Sequence, residues 1–114
     1  MDRRKKAEID LKREISFIIN TKVKDPRIGF ITVTDTKLSI DFKCLNVFVS
    51  IMGEEDEINR SLEGLKNCCG FIKKNMRQRL KLRNLPSIRF LYDKSIYSGM
   101  KISEILQTLD KDKR

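Results

Sequence analysis

The sequence contains no histidine and no tryptophan, and only three cysteines among its 114 residues. Without histidine it cannot form the Ser/His or Cys/His arrangements of hydrolases, and it lacks a common zinc ligand. Cys44, Cys68 and Cys69 are odd in number and lack the spacing of a disulfide framework, so we expect reduced thiols in a reducing compartment. A metal site would need the two adjacent thiols and distant Cys44 together. We therefore predict no metal and no other cofactor.

Long apolar runs are also absent. No stretch approaches the roughly 20 apolar residues of a membrane-spanning helix, and the amino end, MDRRKKAEIDLKRE, lacks the apolar segment of a signal peptide. We expect a cytoplasmic protein without a membrane partner. Only two prolines and five glycines accompany 39% hydrophobic and 36% charged residues, a composition that excludes a fibrous or disordered chain. The length predicts a single domain over residues 1–114, of which 110–114 form a short polar tail.

The charge is strongly unbalanced. Lysine and arginine number 25 and aspartate and glutamate 16, giving a net charge of +9. Such a balance favours a polyanionic partner, with nucleic acid preferred over an anionic membrane. No acid occurs between Glu63 and Asp93, an interval that carries eight cations: Lys66, Lys73, Lys74, Arg77, Arg79, Lys81, Arg83 and Arg89.

Hydrophobic periodicity predicts a helix followed by two strands in the first half of the chain. Apolar residues at helical spacing, Ala7, Leu11, Ile15 and Ile18, precede a turn at Pro26. Alternation then begins at Ile31 and Val33, but Leu38 and Ile40 have the opposite parity, which indicates a bulge near residues 35–37 or a bend. A polar connection, SIDFK, leads to a second strand that should pair antiparallel with the first and point Leu45, Val47, Val49 and Ile51 to one face.

The second half predicts a long helix, a strand and a short final helix. The acids of EEDE, residues 54–57, suit a helix amino end better than a metal site, because consecutive acids fan out around a helix. An apolar stripe then runs through Ile58, Leu62, Leu65, Cys69, Ile72, Met76 and Leu80. Ile88, Phe90 and Tyr92 alternate in a third strand, and SIYSGMKISEILQTL, from residue 95, predicts the last helix.

Gly70 interrupts the long helix at its middle, although glycine costs about 1 kcal/mol relative to alanine in a helix interior. A kink or the close approach of another backbone would explain it. Lys66, Lys73, Lys74, Arg77 and Lys81 project away from the apolar stripe, so a bare backbone position lies beside a basic face. This combination suits a sugar-phosphate strand. A solvated basic face with a packing glycine is the alternative.

We predict twelve residues as an RNA-binding set: Lys66, Gly70, Lys73, Lys74, Arg77, Arg79, Lys81 and Arg83, with Arg3, Arg4, Lys5 and Lys6 at the amino end. Arg27 is a weaker candidate, because an arginine beside Pro26 can hold the turn to a nearby acid. Phe30, Phe48, Phe71 and Phe90 could stack on bases, but their places on helices and strands favour core packing.

The residues resemble the bacterial ribosome-binding factor A family. Two segments carry the resemblance, VKDPRIGFITVTDTKLSIDFKCLNVFVSI and LEGLKNCCGFIKKNMRQRLKLRNLPSIRFLYDKSIYSGMKISEIL, which together with the amino-terminal helix cover about residues 3–109. The resemblance implies an α+β fold similar to type II KH domains, with the order α-β-β-α-α-β, a short carboxyl-terminal helix and a three-stranded sheet packed against the helices. A kinked helix pair, here Cys68-Cys69-Gly70, stands in place of a Gly-x-x-Gly loop, and Gly70 would mark the kink. Cys68 occupies the position where the family usually has alanine.

The resemblance also implies a function without catalysis. A protein of this family would bind the small (30S) ribosomal subunit and its rRNA, assist late maturation including 16S rRNA processing, and act as a monomer without a small-molecule substrate. The alternatives are a basic structural ribosomal protein, a generic KH-like RNA-binding module and, least favoured, a small α/β enzyme.

Overall fold

The computed structural model describes residues 2–80 and 84–94 and contains three helices and three strands in this part of the chain. Helix α1 is Arg3–Thr21, strand β1 is Ile31–Leu38 and strand β2 is Cys44–Ile51. Helix α2 is Glu55–Asn67, helix α3 is Cys69–Leu80 and strand β3 is Ser87–Tyr92. The α-β-β-α-α-β order and the α+β class agree with the prediction. The predicted final helix, from residue 95, lies outside the described residues, as do Lys81 and Arg83.

The sheet has the order β1-β2-β3 and is mixed. Strand β2 pairs antiparallel with β1, as predicted, and parallel with β3. Parallel neighbours need a crossover connection, and α2 and α3 together provide it. The two helices are thereby held across one face of the sheet, between its central strand and one of its edges.

A β-bulge at Thr34 accounts for the change of parity in β1. Val33 pairs with Val49 and Asp35 pairs with Phe48, so Thr34 is the extra residue. The bulge lies one residue before the predicted interval. It lets Val33 on one side and Leu38 on the other both point into the core, where they are 8% and 5% exposed.

One hydrophobic core lies between the helices and one face of the sheet. Every inward residue of β2 is at most 2% exposed, as the alternation predicts. The fully buried apolar helix residues are Ile15, Ile18, Leu65, Ile72 and Met76, all from the predicted apolar stripes. Glu8 fastens α1 to β1: its carboxylate accepts the Leu38 N–H at 2.6 Å, and its carbonyl accepts the Thr36 hydroxyl at 2.7 Å.

Core packing was a wrong prediction for three of the four phenylalanines. Phe90 packs against the core, whereas Phe30 is 81% and Phe71 46% exposed. Phe30 precedes β1, and Phe71 lies on α3 beside the buried Ile72, so neither reaches the interior. Phe48 is half-buried on β2, on the face opposite Val47 and Val49, because adjacent strand residues point to opposite faces.

The turn after α1 is held by an ion pair. The Asp25 carboxylate accepts the Arg27 guanidinium at 2.7 Å and the Arg27 backbone N–H at 2.9 Å. The hydrogen bond from the Arg27 side chain holds the pKa of Asp25 below its ordinary value. The prediction that Arg27 serves the turn is confirmed.

Candidate nucleic-acid interface

The exposed side of α3 brings a glycine and three cations together. Gly70, Lys73, Lys74 and Arg77 follow the i, i+3, i+4, i+7 spacing that places side chains on one helix face. Gly70, Lys74 and Arg77 are exposed and Lys73 is half-buried, whereas Ile72 and Met76, on the opposite side of α3, are fully buried. We call these four residues the basic face of α3. Three of the cations predicted to bind RNA thus lie together on one side of α3.

The two helices are separated at Cys68, which has φ −92° and ψ 0°. The Cys68 N–H is shared between the carbonyls of Gly64 and Leu65, each at 3.1 Å, and the Cys68 carbonyl accepts the Ile72 N–H at 2.9 Å. The hydrogen-bonded chain therefore passes from α2 to α3 with one irregular residue. The break falls within the predicted Cys68-Cys69-Gly70 motif, but Gly70 does not mark it, which corrects that part of the prediction.

Gly70 does not serve close packing within the described part of the chain. A Cβ atom built at Gly70 would meet no described heavy atom within 4 Å outside its own helix. Gly70 is also not one of the described glycines with positive φ. Neither backbone geometry nor packing among the described residues therefore requires a glycine here. What Gly70 provides is open access to the backbone in the first turn of α3, between the cations.

The two cysteines at the break are half-buried. Cys69 Sγ lies 3.6 Å from the Leu65 carbonyl oxygen and 3.8 Å from that of Ile88, while Cys68 Sγ lies 4.0 Å from the Asp25 carboxylate. Burial, and to a smaller degree the neighbouring Asp25, raises the pKa of Cys68; burial and Cys68 raise that of Cys69. Both thiols therefore remain protonated at neutral pH. Cys69 packs at the α2–α3–β3 junction, and Cys68 lies against the turn at Asp25.

Arg79 is engaged within the protein. Its Nε donates to the Glu14 carboxylate at 2.6 Å, and its guanidinium carbon lies 4.1 Å from the centroid of the Phe17 ring. These contacts join α3 to α1. Arg79 also points away from the basic face of α3, since it lies two residues beyond Arg77 on the helix. The structure thus gives Arg79 a tertiary role that the sequence did not predict.

The predicted amino-terminal cations lie beside another element. Asp2 caps α1 by accepting the Lys5 N–H at 2.7 Å, and Lys6 pairs with Asp10 at 3.3 Å. Arg3 and Arg4 line a shallow groove of about 480 Å³, together with Asp2 and the loop residues Ile40 and Phe42. Apart from Arg79, the described members of the predicted set therefore fall on two parts of the surface, with Lys66 on α2 next to the helix break.

Sequence reasoning left Arg89 out of the predicted set. Arg89 and Lys66 line a groove of about 490 Å³ between α2 and β3, with walls formed by Leu62, Glu63, Asn67, Cys69, Ile88 and Phe90. Alternation in β3 puts Ile88 and Phe90 against the core and Arg89 on the exposed side. That alternation was the signal available in the sequence. The parallel pairing of β3 with β2, which brings Arg89 near α2, could not be inferred from the sequence.

Comparisons with known proteins agree on one family. The family model described as ribosome-binding factor A matches residues 3–106. Ribosome-binding factor A of Macrococcus caseolyticus is 46% identical over 103 residues, which cover 90% of each chain. The crystal structure of ribosome-binding factor A from Thermus thermophilus aligns with a TM-score of 0.69 at 29% identity, covering 78% of this chain and 93% of that one. Coordinates of the Thermus thermophilus factor fitted into a cryo-EM map of a complex with 30S align with a TM-score of 0.65 at 28% identity, covering 79% and 94%.

Proposed function

Because the chain belongs to the ribosome-binding factor A family, we propose that it binds the small ribosomal subunit and contacts rRNA phosphates through the basic face of α3. One structural observation carries the proposal: an open backbone position, Gly70, lies on the same exposed face as Lys73, Lys74 and Arg77. The Thermus thermophilus relative fitted into the map of a complex with 30S supports the choice of subunit.

Each part of the basic face has a role in this contact. Lysine and arginine side chains neutralise phosphates and release the counterions condensed on RNA. The absence of a Cβ at Gly70 lets a phosphate come close to the backbone N–H groups at the start of α3, where the helix dipole favours negative charge. Lys66 and Arg89 extend the positive surface into the groove between α2 and β3.

The proposed activity is binding without catalysis. The factor would occupy the immature subunit late in assembly, assist rRNA folding and 16S processing by excluding other contacts, and leave before translation. Among the described residues, no helix is long and apolar enough to cross a membrane. We place the protein in the cytoplasm, where ribosomes assemble.

Cosedimentation with isolated small subunits, large subunits and assembled ribosomes tests the proposal. We expect the wild type to bind small subunits selectively, and the triple variant Lys73→Glu, Lys74→Glu, Arg77→Glu to lose at least about 10-fold in affinity because three phosphate contacts become repulsive. A matched control, Lys22→Glu, Lys24→Glu, Arg60→Glu, makes the same change of net charge at exposed residues in the loop after α1 and on α2.

Three outcomes would contradict the proposal. Equal binding of the wild type to all three particles would show a generic attraction of a basic protein to ribosomes. Equal losses in the triple variant and its control would show that net charge, and not the basic face of α3, determines the affinity. Permanent presence in translating ribosomes would instead indicate a structural ribosomal protein.

A further inference from the structure

The loop between β1 and β2 presents two apolar side chains to solvent. This loop, residues 39–43, was predicted as a polar connection, but Ile40 is 84% and Phe42 44% exposed. Both side chains line the groove that also contains Arg3 and Arg4 from the amino end of α1. A lone exposed apolar residue is ordinary, but apolar surface bordered by charged residues, as here, marks interaction sites.

Hydrogen bonds hold this loop in one conformation. The Ser39 hydroxyl donates to the Asp41 carboxylate at 2.6 Å and accepts the Cys44 N–H at 3.0 Å. Asp41 also accepts the Lys43 N–H at 3.0 Å, and the Ser39 carbonyl accepts the Phe42 N–H at 2.9 Å. The Ser39 hydroxyl holds the pKa of Asp41 below its ordinary value, with help from the Lys43 N–H. The loop is therefore preorganised, which lowers the entropy lost when a partner binds.

Phe42 has a backbone conformation that aromatic residues rarely adopt. Its φ of 63° is the only positive value at a described residue other than glycine. Glycine would adopt this conformation without strain, and asparagine would tolerate it. The hydrogen bonds of the loop therefore hold Phe42 in a backbone conformation that a large aromatic residue disfavours. Such strain is commonly found at binding sites.

The charges around the two apolar side chains indicate an acidic partner. Among residues 2–80 and 84–94, no carboxylate lies within ion-pairing distance of Arg3 or Arg4. The two nearby acids are used internally, Asp2 as the cap of α1 and Asp41 within the loop. Arg3 is exposed and Arg4 half-buried, so their guanidinium groups remain available for carboxylates on another molecule.

We propose that Ile40 and Phe42 dock into an apolar cleft, rimmed by acidic side chains, on a protein of the small subunit, with Arg3 and Arg4 pairing with the rim. The inference rests on the proposed function and adds a protein contact to the rRNA contact. Ile40 favours protein over RNA as the partner, because an aliphatic side chain offers no flat face for stacking on a base and gains most from burial in an apolar cleft. A central apolar anchor with a charged rim is the usual composition of a protein interface.

Two variants and two matched controls test the contact. Ile40→Ser removes the more exposed apolar side chain, and Phe42→Gly removes the aromatic ring while retaining a residue that accepts the positive φ. Phe30→Ser and Met52→Ser remove side chains that are 81% and 73% exposed at the opposite end of the β1–β2 hairpin, where the Met52 N–H donates to the Phe30 carbonyl. All variants are compared with the wild type in binding to intact small subunits and to protein-free rRNA from the same subunits.

We expect Ile40→Ser to weaken binding to intact subunits by between about 10-fold and 100-fold, the loss that corresponds to leaving one large aliphatic side chain unburied. Phe42→Gly should act in the same direction. Affinity for protein-free rRNA should stay at the wild-type value, and the Phe30→Ser and Met52→Ser controls should match the wild type on both ligands.

The alternatives give different results. Equal losses on intact subunits and on protein-free rRNA would show that the loop contacts RNA, which would overturn the inference. Wild-type binding of Ile40→Ser and Phe42→Gly to intact subunits would overturn it as well. If the wild type itself shows no preference for small subunits, the proposed function fails, and this result is separate from a failure of the loop variants.

Discussion

Gly70 lowers the intrinsic stability of α3, and no contact among the described residues requires a glycine there. Because a Cβ there meets no described atom within 4 Å, Gly70→Ala should raise the free energy of unfolding by up to about 1 kcal/mol. The same methyl group would stand where we propose that a phosphate approaches the backbone. We therefore expect a more stable protein that binds rRNA less tightly, measured by thermal denaturation and by a binding titration.

Gly64, on α2, should respond to the same substitution in the opposite direction. A Cβ at Gly64 would lie 2.8 Å from Ile28 Cγ1, so Gly64→Ala should destabilise the protein by forcing α2 away from residue 28. If Gly70→Ala left rRNA binding unchanged, the glycine would have no part in the contact, and the three cations alone would carry it.

At the scale of the secondary-structure elements, two arginines of α3, Arg77 and Arg79, should behave differently. Arg79 joins α3 to α1 through Glu14 and Phe17, whereas Arg77 is on the basic face. Because the Arg79 side chain is 40% exposed, its ion pair is partly screened, and we expect Arg79→Ala to cost about 1 kcal/mol of stability. Arg77→Ala should leave stability unchanged and weaken rRNA binding. Chemical denaturation and binding titrations of both variants measure the difference.

A double-mutant cycle of Glu14→Gln with Arg79→Ala isolates the interhelical pair. A coupling energy of about 0.5–1 kcal/mol is expected for a partly exposed pair of this geometry. Additive effects of the two substitutions would show that the pair contributes nothing. If Arg79→Ala weakened rRNA binding as much as Arg77→Ala, Arg79 would contact RNA as the sequence predicted.

The helices and strands were predictable where a local pattern determined them. The apolar spacing of α1 and the alternation of β2 each correspond to buried residues, and the change of parity in β1 revealed the bulge at Thr34. The resemblance placed the break at Gly70, two residues after Cys68, and the apolar stripe could not correct this because it continues through the break. Only the geometry of the backbone locates the irregular residue.

The sequence predicted which cations share a helix face, but not which of them contact other parts of the protein. The helical projection correctly placed Lys73, Lys74 and Arg77 on one face. It could not show that Arg79 meets Glu14, because that contact depends on how α1 and α3 cross. The exposure of Ile40 was not predictable either. The alternation of β1 places Ile40 as the next residue of the strand, but the strand ends at Leu38, where the hydrogen bonds of the loop begin.

For the molecule as a whole, the net charge of +9 makes binding sensitive to salt. If four cations, Lys66, Lys73, Lys74 and Arg77, neutralise one phosphate each, counterion release from single-stranded RNA gives a log–log slope of about −3. Affinity for protein-free rRNA should then fall about 50-fold between 50 and 200 mM salt. The triple charge reversal on α3 should flatten this slope by about 2, as measured by filter binding. A slope near zero in the wild type would contradict contact with phosphates.

The parallel pairing of β3 with β2 has a consequence for the order in which the molecule assembles. The β1–β2 hairpin closes a short loop and can form early, whereas β3 reaches β2 only after the whole segment between Ile51 and Ser87 has folded back. The basic face of α3 belongs to that segment. Nascent chains would therefore carry a finished hairpin before they carry a finished binding surface, so recognition of the subunit awaits synthesis of β3.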